Sequence, residues 1–162
     1  MTAEQPNIVV IGVGNEYRGD DGVGIVIARR LRAQLAAAVD VMEAGGEGAQ
    51  LLDAWRGAAS VLLLDAAHSG APPGTIHRFD AGAQSIPSAF FHYSAHAFSV
   101  AEAIELSRAL HELPANLVVY GIEGSCFEPG IGLSPAVAAA VDFVVAQVVS
   151  DVHSASLAEP FP

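Results

Sequence analysis

The chain has no lysine, one cysteine (Cys126), one tryptophan and two methionines among its 162 residues. Each scarcity excludes something. A single cysteine rules out an internal disulfide framework and a cysteine-rich zinc site. Without lysine there is no Walker-type phosphate loop, whose lysine reaches the β- and γ-phosphates. The seven basic residues are all arginine and face 18 acids, for a formal net charge of −11. Nucleic acid is therefore not an expected partner. A cation, a metal or a basic peptide suits such a charge better. No uninterrupted apolar run reaches the roughly 20 residues of a membrane span, and residues 1–7 show no signal-like pattern. A soluble cytoplasmic protein is expected, with no membrane partner. The acidic surface carries no interface signal, so a monomer is expected.

What the chain does have is apolar residues, at 52% of the total. That is enough for one domain with a substantial core. The reading gives a single domain over residues 1–150 and a flexible tail over 151–162. Unbroken apolar runs at 8–11, 60–65 and 116–122 predict strands buried on both faces. A shorter strand is predicted at 40–43. Residues 75–80 alternate polar and apolar, which predicts a half-exposed edge strand. Helices are predicted at 23–38, 50–55, 94–110 and 136–149, the last introduced by Ser134 as N-cap and Pro135 at the first helical position. Alternating strands and helices predict a three-layer α/β/α sandwich. The link at 66–74 is too short for a helical crossover, so strand 75–80 should run antiparallel and make the sheet mixed.

Acids gather at one end of that sheet. Glu16, Asp20 and Asp21 follow the first strand, Glu43 and Asp65 end the second and third, and Glu123 follows the strand at 116–122. Ligands of open α/β sheets bind at the carboxyl ends of strands. Other roles stand beside this one. Asp20 or Asp21 could cap the following helix, and Glu16 could be solvated in its loop. Asp65 closes an apolar run, and an unpaired buried carboxylate is costly. Gly12-Val13-Gly14 lacks the third glycine of the dinucleotide fingerprint, and phosphate would be repelled by so many carboxylates. No nucleotide cofactor is expected, and a cation is the better ligand.

A cation of borderline softness recruits imidazole. His111 and His153 read as surface residues, His77 lies on the edge strand, and His68 follows Asp65 by three positions. His92 and His96 are four apart near a predicted helix start. Of these two, His96 is expected in the first turn and aimed at the crevice. Cys126 has no histidine tied to it and reads as a bystander.

With these residues in view, the chain resembles the hydrogenase maturation proteases from about Ile8 to Val149. The resemblance rests on four pieces in order. They are Gly12-Val13-Gly14-Asn15 with Asp20-Asp21-Gly22-Val23-Gly24, then Leu64-Asp65-Ala66, then Ser94-Ala95-His96, and finally residues 127–135, FEPGIGLSP. It implies a mixed, mostly parallel five-stranded sheet between helices, of the phosphorylase/hydrolase-like kind. It implies an endopeptidase that trims the C-terminal extension from the large-subunit precursor of a nickel-iron hydrogenase. It assigns Asp21, Asp65 and His96 as the catalytic, metal-contacting set, which reads nickel carried by the substrate. The family often has Asp-Gly-Gly after its second strand. Here Glu43-Ala44-Gly45-Gly46 stands there, so Glu43 is the candidate for substrate or water positioning. Around the histidine the family often shows Thr-His-Gly, and here it is Ala95-His96-Ala97. With Asp21 assigned to the metal, helix capping is left to Asp20. A non-catalytic nickel-binding or assembly-chaperone module using the same crevice is the alternative.

Overall fold

The computed structural model describes residues 7–87, 89–91 and 99–157. β1 (Ile8–Val13) is buried at every position. A single 3₁₀ turn (Gly19–Gly22) leads into α1 (Val23–Gln34). β2 (Val39–Ala44), α2 (Gly48–Trp55), β3 (Ser60–Ala67) and β4 (Ile76–Asp80) follow. α3 (Val100–Ala109), β5 (Asn116–Glu123) and α4 (Pro135–Leu157) complete the chain. The five strands lie in the order β2-β1-β3-β5-β4. All neighbours are parallel except β4, which pairs antiparallel with β5. The mixed three-layer sandwich, with β4 at one edge, is the one expected.

Strand alternation divides the core in two. Val10, Leu62, Leu64 and Tyr120 pack with Val23, Ile27 and Leu31 of α1 and with Val137, Val141 and Val144 of α4. On the other face, Val9, Ile11, Val61, Leu63 and Val119 pack with Leu51 and Trp55 of α2 and with Val100 and Ile104 of α3. The Trp55 indole N–H donates to Ser107 Oγ at 3.0 Å, tying α2 to α3. Helices on both faces explain why β1 and β3 read as continuous apolar runs.

Three boundaries differ from the sequence reading by more than two residues. α3 begins at Val100 rather than at 94, because Ser99 is extended and forms a capping box with Glu102. The Ser-x-x-Glu spacing is present in the sequence and marks this start. The expectation for His96 lies outside the described residues, which leave out 92–98. α1 stops at Gln34, with Leu35 extended. α4 continues through Leu157, so residues 151–157 are helix rather than loose tail. Asp151 anchors that end: the Tyr120 hydroxyl donates to it, and Arg78 Nε and Nη2 of β4 each donate to it at 3.2 Å. Burial, then the Asp151 carboxylate, pushes the Tyr120 phenol up to about 12.

By length and hydropathy, Pro135–Ala155 is long and apolar enough to cross a membrane. Its apolar stripe, however, covers the sheet. Val137, Val141, Val144, Val145, Val148 and Val152 are all buried there. The helix also carries Asp142, which pairs with Arg30 of α1.

Candidate active site

The sheet order creates a crevice. From β1 the chain leaves through α1 toward β2. From β3 it leaves the other way, toward β4 and β5. Between the carboxyl ends of β1 and β3 the connections diverge, which is where open α/β sheets bind ligands. Asp21 follows the first of these strands and Asp65 ends the second.

Glycines shape the turn after β1. A Cβ on Gly24 would lie 2.3 Å from the Leu64 carbonyl oxygen and 2.5 Å from that of Val13, so α1 can rest on the sheet only through glycine. Gly14 has φ +144°, and a Cβ there would lie 1.9 Å from the Asp21 carbonyl oxygen. The chain thus folds back on itself, and the Asn15 N–H donates to Asp21 Oδ2 at 3.1 Å. The glycines of this motif are a steric device that sets Asp21 beside the end of β1.

Asp65 shares a strand face with Val61 and Leu63, the side that α2 and α3 cover. It is 8% exposed. Among the described residues its carboxylate accepts one hydrogen bond, from the Ala66 N–H at 2.8 Å. Burial pushes its carboxyl well above the ordinary range, and the Asp21 charge pushes it further. Burial also raises Asp21, offset by the Asn15 N–H and the Arg18 charge. Two such groups in electrostatic contact favour a shared proton or a bound cation. Two carboxylates alone make no metal centre, and among the described residues no cluster of three or more His, Cys, Asp or Glu could hold an ion. The third expected ligand, His96, lies outside the described residues. The flanks of its segment, Phe91 and Val100, are buried in the same apolar cluster as Val61 and Leu63.

Asp20 has a role the sequence reading did not find. It does not cap α1, whose N-cap is Gly22 with no side-chain hydrogen bond. It is fully buried and faces the loop between β5 and α4. It accepts from the backbone N–H groups of Ser125 at 2.9 Å, Cys126 at 3.0 Å and Ser134 at 2.7 Å, and from Ser134 Oγ at 2.8 Å. Burial alone would raise its carboxyl, but these donors together hold it below the ordinary value. The carboxylate therefore sits at the N-terminus of α4, not α1. Nothing local signals this, because its partners are more than a hundred positions away. Cys126 is exposed, and its backbone rather than its thiol takes part.

Glu123 is a second buried carboxylate that holds a loop. It accepts from Ser69 N at 2.8 Å, Ser69 Oγ at 2.9 Å and Gly70 N at 3.0 Å. His77 Nε2 lies 3.4 Å from it, at an angle that makes no hydrogen bond. His68 is exposed, with its ring edge-on to Phe127 at 5.5 Å.

Glu43 lines a cleft of about 330 Å³ with Gly14, Asn15, Glu16, Tyr17 and Arg29. Its oxygens are already engaged. Arg29 Nη2 lies 3.0 Å from Oε1, and Arg32 Nη1 lies 3.0 Å from Oε2. Glu16, expected to be solvated, instead holds Arg29 through both oxygens, at 2.8 and 3.1 Å. Hydrogen bonds from these arginines lower both carboxyls.

The mixed five-stranded α/β/α sandwich brings half-buried Asp21 and buried Asp65 to its switch point, and comparison with known proteins supplies the class. The family model described as "Hydrogenase maturation protease" matches residues 25–151. A putative hydrogenase maturation protease of Methanocaldococcus jannaschii is 32% identical over 155 residues, covering 92% of this chain and 98% of that protein. The hydrogenase 2 maturation protease of Escherichia coli is 29% identical over 147 residues, covering 88% of each. The solved hydrogenase maturating endopeptidase of E. coli superposes with a TM-score of 0.78 at 26% identity, over 91% of this chain and 93% of that one. The chain belongs to the hydrogenase maturation protease family and is an endopeptidase of that class.

Proposed function

We propose that this protein removes the C-terminal extension of a nickel-iron hydrogenase large-subunit precursor after nickel has been inserted. The observation that carries the reading is the pair formed by buried Asp65 and half-buried Asp21 at the switch point, poorly supplied with hydrogen bonds among the described residues. A pair of this kind is relieved by a cation. Nickel in the bound precursor is that cation, carried by the substrate and not resident in the enzyme. His96 supplies the imidazole, and a set of two carboxylates and one imidazole leaves coordination positions for the substrate's own ligands. Asp21 and Asp65 orient the scissile segment through the metal. A carboxylate with a raised pKa is also suited to take a proton from attacking water near neutral pH. Glu43, held by Arg29 and Arg32, lines the neighbouring cleft and contacts the substrate chain. The reaction takes place in the cytoplasm, with the enzyme a monomer.

The test is incubation of purified protein with precursor large subunit, with and without nickel loading, followed by intact mass. Loss of the extension only from the nickel-loaded precursor is expected. Equal cleavage of both forms would overturn nickel reading. Nickel binding without any mass change would make the protein a carrier or assembly module.

A further inference from the structure

The 3₁₀ turn of residues 19–22 gives two adjacent carboxylates different destinations. With three residues per turn, successive side chains point roughly 120° apart. Asp21 goes to the crevice, and Asp20 goes to the loop before α4. We infer that Asp20 is a positioning residue, fastening that loop and the Asp21 turn into one rigid unit so that Asp21 is held against Asp65. The inference rests on the proposed function for its kinetic consequence, but its structural claim stands apart.

Several contacts join the same two segments. The Asp20 N–H donates to the Cys126 carbonyl at 2.8 Å, while its carboxylate accepts the Cys126 N–H at 3.0 Å. The Gly19 N–H donates to the Gly130 carbonyl at 2.9 Å, and the Gly130 N–H donates to the Tyr17 carbonyl at 2.8 Å. Arg18 and Gly130 form a parallel bridge. The fit is close as well. A Cβ on Gly124 would lie 3.0 Å from the Asp20 Cβ and 2.5 Å from the Phe127 ring, so the loop can approach only through glycine. The backbone pairs align the segments. The Asp20 carboxylate is the one side chain on the turn that binds both ends of the loop, at Ser125–Cys126 and at Ser134. Three partly buried backbone N–H groups would lose their acceptor without it.

Ser134 supplies a test remote from Asp21 in the chain. Ser134→Ala removes one hydroxyl donor to Asp20, Ser134→Thr keeps it, and Asp20→Asn keeps the shape with one acceptor oxygen fewer. Amide hydrogen exchange and precursor cleavage are measured on the full chain. In Asp20→Asn and Ser134→Ala, the amides of Ser125 and Cys126 should exchange at least tenfold faster, with β1 and β3 amides unchanged. In the same variants kcat should fall, severalfold for Ser134→Ala and more for Asp20→Asn, with KM within about twofold. Ser134→Thr should restore both readouts. Loop amides that open while kcat stays at the wild-type value would overturn the inference, as would failure of threonine to rescue. If the wild-type protein cleaves no precursor, the functional reading fails. In that case exchange at Asn15 and Asp21 decides the coupling: acceleration alongside Ser125 supports it, and unchanged protection overturns it.

Discussion

Asp20 and Asp21 are neighbours in sequence and opposites in chemistry. Asp20 is surrounded by donors from a distant loop and is held ionised below the ordinary carboxylate range. Asp21, with Asp65, has few donors among the described residues, and both carboxyls are pushed up. The first carboxylate has its charge satisfied by donors, and the other two, which the proposed function assigns to the reaction, have few donors among the described residues. Burial does not separate the two kinds, since Asp20 and Asp65 are both buried. The supply of hydrogen-bond donors does.

The largest effects should come from removing the unsatisfied side of this contrast. Asp21→Asn, Asp65→Asn and His96→Ala are each expected to lower precursor cleavage by about 10²-fold or more, the scale of losing a positioned acid–base or ligand group. Full activity in any one variant removes that residue from the set.

Next comes the satisfied side. Asp20→Ala leaves three partly buried N–H groups and two hydroxyls without their acceptor, which should cost roughly 2–3 kcal/mol of stability. Denaturant unfolding measures this, and a loss below about 1 kcal/mol would mean that water replaces the carboxylate.

The two kinds should also respond oppositely to pH. Asp65 has a raised native pKa, so its ionisation weakens the fold once pH passes the unfolded value near 3.8, and the full cost is reached above the native pKa. Asp65→Asn should therefore stabilise the protein at pH 8. The gain should vanish toward pH 3.5. Asp20 has a lowered native pKa, so its contribution is present above the unfolded value and is lost as pH falls through the native one. Thermal melts of both variants across this range check the two signs.

The smallest effect is expected at Glu43. Its charge is shared between Arg29 and Arg32 on a partly exposed wall. Glu43→Gln should raise KM severalfold and leave kcat near the wild-type value. A large fall in kcat would instead place Glu43 with Asp21 and Asp65.

How much of this was legible beforehand depended on the range of the interaction involved. The apolar runs that became β1, β3 and β5 were readable because burial on both faces leaves a local pattern. The antiparallel β4 was readable from the short link before it. The start of α3 is also written locally, in Ser99 and Glu102, but Ser94 offers a competing start five residues earlier. The extension of α4 to Leu157 was not legible, because Asp151 finds Arg78 and Tyr120 only once β4 and β5 are paired. The ion pair of Glu16 was hidden for a similar reason, since Arg29 reaches it only from the next helix.

Fold class, family and the gathering of acids at one end of the sheet are written in the chain itself. They follow from periodicity, motif order and strand ends, all of which are short-range properties. The division of labour among those acids came only with the packing of distant segments. An aspartate's chemistry is set by the donors and charges around it, and for Asp20 those donors come from Ser125, Cys126 and Ser134, on a loop the chain reaches only after building the whole sheet.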